Sequence, residues 1–373
     1  MSTMHRERIE EALIAAFAEI RPFTFDKTRR LDRFKDGSFG CSALSFSLYA
    51  NGHNGRGQSS IAPLGLLYED EHTMMCIGYF RKEHDPDHEP GYLFVVAPRG
   101  REVVEKIRQL INFITYAHLP CKGCYVRHLS LQQYITFLNA GFMPAKEAPW
   151  NPEAIEEDES LQHALLDLQE LLNDDGGINV LKGDHSRAFR RRARINFNRG
   201  MNFLQRNDLV MKLRPFTHQD ISDADNIIKD HFVSLSSRGK DVGSVPEDHY
   251  NSIDPAGLEE KDIMHFIGYL DDIPIAFYAC ERLSDRRVGL YTVITERDPD
   301  RVLPHSEKDA LRGFSALPMY CYLRLFRLLK EKGFDEVHLG GSEHPDLNRF
   351  KRHFGCTLDP SYWAFMPLKG ITP

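Results

Sequence analysis

Two stretches of this chain share one order of parts: YVRHLSLQQYITFLNAGF at residues 125–142 and VHLGGSEHPDLNRFKRHFG at residues 337–355. Each reads as a strand, a loop, a short helix and a closing pair of glycine and aromatic residue. What precedes them also matches. Short apolar runs at 39–50, 61–68, 73–80 and 91–97, separated by Gly, Pro, Asp and His, read as strands of an antiparallel meander. The helix REVVEKIRQLINFITYA follows, with Val104, Ile107, Leu110, Ile111 and Ile114 on one face. In the second half the runs fall at 264–270, 274–281 and 287–294, with a hairpin turned at Asp271-Asp272. A helix from Leu317 to Lys332 comes next, with Pro318 in its first turn and Gly333 past its end. The expectation is an α+β chain made of two copies of one unit.

A length of 373 residues suits about two domains, and 42% apolar with 27% charged residues is an ordinary globular composition. The divisions expected are a first domain over 1–150, an acidic connector over 151–183, a basic helix over 184–206 and a second domain over 207–373. The chain begins on an amphipathic helix rather than a signal-peptide core. The connector holds one amphipathic helix around Leu161–Leu172. The seven cysteines are scattered through apolar runs, which points to buried thiols and a cytoplasmic setting. No uncharged run reaches the ~18 residues of a bilayer span, so any membrane contact is peripheral.

The net charge of −7 excludes a general polyanion binder and makes local charge decisive. In LKGDHSRAFRRRARINFNRG, Arg187, Arg190, Arg191 and Arg194 fall at i, i+3, i+4 and i+7 and form one stripe, beside Phe189, Ala193 and Phe197 on a docking face. Like charges at this spacing oppose the helix by ~0.2–0.5 kcal/mol per pair, so an anion is wanted. Arginine forks suit phosphate. With Arg192 and Arg199, these residues are the expected RNA contacts, set against the plainer reading of a solvated helix paired to the acidic connector.

Other features carry less. Cys121 and Cys124 form a lone CxxC followed by a strand, and His84 and His88 lack a third partner, so no metal is expected. Arg99-Gly100-Arg101 reads as a structural turn. The segment at 338–355 carries more, because a strand ending in paired glycines presents bare backbone beside a carboxylate and a lysine. Acyl transfer requires these parts: donors for a developing oxyanion, a base and a cation.

The run from Tyr320 through LKEKGFDEVHLGGSEHPDLNRFKRHFG resembles the carboxy-terminal segment of FemABX-type aminoacyltransferases and of the soluble domain of lysyl-phosphatidylglycerol synthases, within the GNAT acyltransferase superfamily. The shared signature is a strand ending in glycine and a helix reading Phe-Lys-x-x-Phe-Gly, matched by Phe350, Lys351, Phe354 and Gly355. The basic segment before the second unit also looks like the Lys/Arg-rich helix of those synthases. The resemblance implies tandem GNAT-like domains, with aminoacyl-tRNA as co-substrate, no tightly bound cofactor, and Lys351 near the transferred group. It does not fix the acceptor, since neither a transmembrane region nor a long coiled-coil insertion is present; a small molecule or peptide amine or hydroxyl is expected.

On this reading Lys351, Glu343, Ser342 and Glu281 are the candidate catalytic residues, with Glu343 or Glu281 as proton acceptor. The amides of Gly340 and Gly341 face the oxyanion, and Tyr278, Tyr291 and Arg349 contact substrate. Two rivals stand beside it. One keeps the fold and takes acyl-CoA, against which both copies lack the second glycine of a pyrophosphate-binding turn. The other is a non-catalytic RNA-binding protein. The first copy has Phe137-Leu138 where the second has Phe350-Lys351, so a structural or substrate-gripping role is expected for it.

Overall fold

The computed structural model describes residues 2–23, 34, 37–50, 65–80, 90–145, 162–173, 177–179, 187–237, 239, 253, 261–304, 310–341 and 345–368. The strands in chain order are β1 (Ile20–Pro22), β2 (Leu66–Glu69), β3 (Thr73–Phe80), β4 (Gly91–Gly100), β5 (Cys121–Leu129), β6 (Met143–Pro144), β7 (Gln162–Asp167), β8 (Met211–Pro215), β9 (Phe266–Leu270), β10 (Ile273–Arg282), β11 (Arg287–Thr295), β12 (Glu336–His338), β13 (Thr357–Pro360) and β14 (Tyr362–Pro367). They form two seven-stranded mixed sheets, ordered β1-β2-β3-β4-β5-β14-β6 and β13-β7-β12-β11-β10-β9-β8.

The duplication is visible in the connections. In the first sheet β3 and β4 pair antiparallel, the helix Val103–Tyr116 crosses over, and β5 returns parallel to β4. In the second, β10 and β11 pair antiparallel, the helix Leu317–Glu331 crosses, and β12 returns parallel to β11. Both crossover helices bury one apolar face, Val103, Ile107, Leu110, Ile111 and Ile114 in the first copy. The copies differ where their parallel pairs end. The pairing of β4 with β5 runs from Gly91↔Cys121 to Val96↔Arg127, whereas that of β11 with β12 stops at Gly289↔His338 while β11 continues to Thr295.

Two strands fall outside the expected divisions. The segment expected as a helix around Leu161–Leu172 instead supplies β7, placed between β12 and β13, and only Leu168–Leu171 is helical. Its apolar residues fit either period, because Ala164, Leu166 and Leu168 alternate as well as recur helically. A central sheet position that buries both faces decides for the strand. Asp167 then turns the chain, its carboxylate accepting the amides of Gln169 and Glu170 at 2.7 and 2.9 Å. In return β14 leaves the second half and lies between β5 and β6. The sheets therefore do not divide at residue 150 or 207.

A second departure concerns residues 39–50, expected as a strand. Ala43–Ala50 is a helix. Ser42 begins it, its hydroxyl accepting the Ser45 amide at 3.2 Å.

Candidate active site at the seam between the sheets

Register places the site residues. Glu281 pairs with Gly289, Gly289 with His338, and His338 with Leu165, so one row crosses β10, β11, β12 and β7. Paired residues share a face, and so do residues two apart on a strand. Tyr291 and His163 therefore join Glu281 and His338 on the face turned to the first half. Val337 and Leu339 point the other way, into the core of the second half.

The first half answers with the segment from Gly37 to Leu44. Phe39 stacks between Tyr291 and His338, with ring centroids at 4.1 and 4.8 Å, and meets His163 edge-on at 5.7 Å. Offset stacking of this kind contributes ~0.5–1.5 kcal/mol per pair beyond area burial. The Tyr291 hydroxyl donates to the Phe39 carbonyl at 3.0 Å and is in contact with Ser42 Oγ. Gly340 has φ +65, and a Cβ there would lie 2.9 Å from the Phe39 ring, so both backbone conformation and space require glycine.

Lys351 reaches the strand tip, as the sequence led us to expect. Its Nζ donates to the Gly341 carbonyl and, at 3.4 Å, to that of Gly340, and the side chain is buried. Phe39 and Gly341 are only half-buried, so the seam meets solvent there.

Several expected roles change. The Gly340 amide donates to His338 Nδ1 at 3.1 Å and is already committed, so it does not face an oxyanion. Glu281 is fully buried, and its two oxygens accept the amides of Ala43 and Leu44 at 2.9 and 2.8 Å. It caps the helix Ala43–Ala50 from the other half, which removes it as the proton acceptor. Tyr278 lies in the core beside Cys280 and Cys321 rather than in an acceptor pocket, and burial pushes its phenol up. Tyr291 is in the seam, but burial and the Glu281 charge keep its phenol protonated. Arg349 is exposed on the helix Pro345–Arg352. Ser342 and Glu343 lie outside the described residues.

The arginine stripe is also corrected. In the helix Arg187–Arg206 the buried line is Arg190, Ala193, Phe197, Gly200 and Phe203, because steps of three and four return to one face. Arg190 belongs to it: Nη2 pairs with Glu170 Oε2 at 2.7 Å and Nη1 donates to the Glu170 carbonyl at 3.1 Å. Arg191, Arg192, Arg194 and Arg199 point outward, and the side chain of Arg187 lies outside the described residues. Phe197 stacks on Tyr320 at 5.1 Å and fixes the helix against Leu317–Glu331.

Three residues that matter here were not singled out from the sequence. His128, His163 and His338 are buried side by side, with ring centroids 5.1 and 4.9 Å apart. A trace was present: His128-Leu129 and His338-Leu339 occupy the same place in the two repeats. His163 had none, since β7 was expected to be helical. Among the described residues no group of three His, Cys, Asp or Glu side chains is placed to hold a metal.

Burial, with the Lys351 and Arg127 charges, depresses His163 from the ordinary 6.5 to about 3, and His128 and His338 are also held well below it, chiefly by burial. Depressed folded values mean that the unfolded chain binds protons the folded chain refuses. Stability is therefore complete above about pH 6.5 and falls as the pH drops toward the folded values, by ~1.4 kcal/mol per pH unit for each histidine kept neutral. Urea unfolding at pH 7.5 and pH 5.5 should show this loss; equal midpoints would refute it. A separate variant probes the cap. Glu281→Ala strands two buried amides, each bonded to a carboxylate at ~1.5–3 kcal/mol, so a loss of roughly 3–6 kcal/mol is expected in the same measurement. A change under about 1 kcal/mol would return Glu281 to the list of bases.

Neither a family model nor a curated protein sequence matches the chain. Solved structures do. A conserved protein of unknown function from Bacteroides thetaiotaomicron is similar at TM-score 0.60 and 13% identity, over 94% of this chain and 99% of that one. FemX is similar at TM-score 0.54 and 9% identity, over 94% and 97%. The C-terminal DUF2156 domain of a protein assigned as lysylphosphatidylglycerol synthetase from Agrobacterium fabrum is similar at TM-score 0.50 and 13% identity, over 92% and 93%. At these identities the likeness establishes the fold, and the resemblance read from the Phe-Lys-x-x-Phe-Gly segment holds at that level. The α+β architecture of two seven-stranded mixed sheets flanked by helices is the fold this chain shares with these structures. Among the described residues no helix is long and apolar enough to cross a membrane.

Proposed function

We propose that this chain is an acyltransferase that takes an aminoacyl group from aminoacyl-tRNA and passes it to an amine or hydroxyl of a small molecule or peptide. One observation carries the reading: the lysine of the Phe-Lys-x-x-Phe-Gly helix is buried at the glycine tip of β12, in the seam between the two halves. An aminoacyl ester is already activated, so the protein has to orient the attacking group and stabilise charge on the carbonyl oxygen. A fixed ammonium in a desolvated seam supplies the second.

The donor is read from the surface around that lysine. Arg349 and Arg352 flank Lys351 on its own helix and are exposed. Arg192 belongs to the same neighbourhood: burial, then Arg192 and Arg349, depress the imidazole of His353. Arg191, Arg194 and Arg199 are exposed on the same helix as Arg192, and together these arginines suit a phosphate backbone whose acylated end must reach Lys351.

Purified protein incubated with labelled aminoacyl-tRNA, or with acetyl-CoA, in a small-molecule extract should deplete the first donor and spare the second. Loss of acetyl-CoA alone would overturn the proposed donor. Substituting Arg191, Arg192, Arg194 and Arg199 by Ala should weaken tRNA binding and reduce the salt slope by about one unit per lost phosphate contact. An unchanged slope removes this surface from the reading.

A further inference from the structure

We infer that His338 and His163 form a two-imidazole donor site for a carbonyl or carboxylate oxygen beside Lys351, filling the role that the Gly340 amide cannot. Its part in catalysis rests on the acyl-transfer reading; the site itself rests on the ring chemistry.

Gly340 settles the tautomer. Its N–H donates to His338 Nδ1, so that nitrogen presents a lone pair and the ring proton sits on Nε2. The Gly340 carbonyl meanwhile accepts from Lys351. One residue, through its two flanking peptide groups, thus sets both the imidazole donor and the ammonium. Among the described residues, His338 Nε2 and both nitrogens of His163 have no hydrogen-bond partner, although the two side chains are only 2% and 6% exposed. Each neutral ring carries one N–H, and a donor left open at the edge of a largely enclosed seam can take an oxygen acceptor that enters there.

The charge at the site selects the acceptor. Burial keeps both rings neutral at neutral pH, where a neutral imidazole is a donor matched to an oxygen acquiring partial negative charge. The adjacent Lys351 charge favours an anionic oxygen and repels a cation. The two rings stand perpendicular, at 79° and 4.9 Å between centroids, and Phe39 holds the face of His338. During transfer the attacking nitrogen forms the new C–N bond and the ester C–O bond breaks. The proton lost by the amine ends on the departing hydroxyl, and the imidazoles keep theirs.

His338→Phe keeps the stack on Phe39 and deletes both ring nitrogens. His338→Gln restores an acceptor for the Gly340 amide and a donor for the substrate. We expect kcat to fall about 10²-fold in His338→Phe with KM changed by less than roughly threefold, and to recover most of that in His338→Gln. Nitrogen NMR of histidine-labelled wild-type protein should show the His338 proton on Nε2. Sodium acetate should shift the His338 and His163 signals, and sodium chloride at the same ionic strength should not.

A proton on Nδ1, or a His338→Phe enzyme with normal kcat while a Lys351 variant is impaired, overturns this site and leaves the transfer reading standing. Acetate-induced shifts in a protein that transfers no acyl group from any donor would support the oxygen site and sink the transfer reading instead.

Discussion

Ending the chain after Ser361 abolishes cooperative folding of the first sheet, although the other six strands of that sheet are retained. The reason is topological. β14 lies between β5 and β6 and pairs with both, so its removal exposes the edge of β5 and isolates β6. It also empties an aromatic cluster. Phe365 packs on Tyr125 at 4.6 Å and Trp363 lies under the Arg127 guanidinium at 3.7 Å, both of them buried. Truncating one such side chain costs ~3–5 kcal/mol, against a total stability of ~5–15 kcal/mol for a typical domain. Losing both with their strand leaves no margin. Amide exchange should show β4 and β5 unprotected in the truncated chain, and Phe365→Ala should lower stability by ~3–5 kcal/mol. Protected β4 and β5 amides after truncation would mean the first half folds without its borrowed strand.

Lys351→Met lowers kcat of acyl transfer by ~10²–10³-fold while leaving the fold intact. The methionine keeps most of the buried stem and removes the ammonium, so packing survives and the charge goes. Removing a buried charge also removes its desolvation cost, which offsets the bonds lost at the Gly340 and Gly341 carbonyls and keeps the variant folded. A second readout separates this from a structural effect. The Lys351 charge helps to depress His163 and His338, so its loss lets their folded values rise toward the ordinary one. The folded chain then takes up protons at a higher pH, so the loss of stability on acidification levels off at a higher pH than in the wild type as the folded values are approached, well below pH 5.5. Turnover within a few-fold of wild type would place the chemistry elsewhere.

The crossover helices were legible in the sequence because their apolar residues recur at helical spacing over four turns, a pattern with one reading. The Phe350-Lys351 helix was legible for a different reason, since the spacing of four residues, two of them Phe, matches a known signature. β7 was not, because a short run of alternating leucines satisfies both periods and the choice lay with β12 and β13 on either side. Arg190 was misplaced by one helical face. The stripe counted correctly as arginines, but Glu170 and the packing of Phe197 on Tyr320 decided which of them faces inward.

By itself the sequence determined the duplicated strand–helix–strand units, the arginine-rich helix before the second unit, and the lysine carried to a glycine-ended strand. These follow from local periodicity, capping and turn chemistry, which near neighbours along the chain settle. The tertiary structure alone decided that Glu281 caps a helix whose first amide lies 238 residues away. It also decided that His128, His163 and His338 share one buried seam, that the connector supplies a strand to the second sheet, and that the first sheet takes in a strand from the end of the chain. Such contacts depend on which surfaces meet after both cores have formed, and residues so far apart leave no shared period in the sequence to announce them.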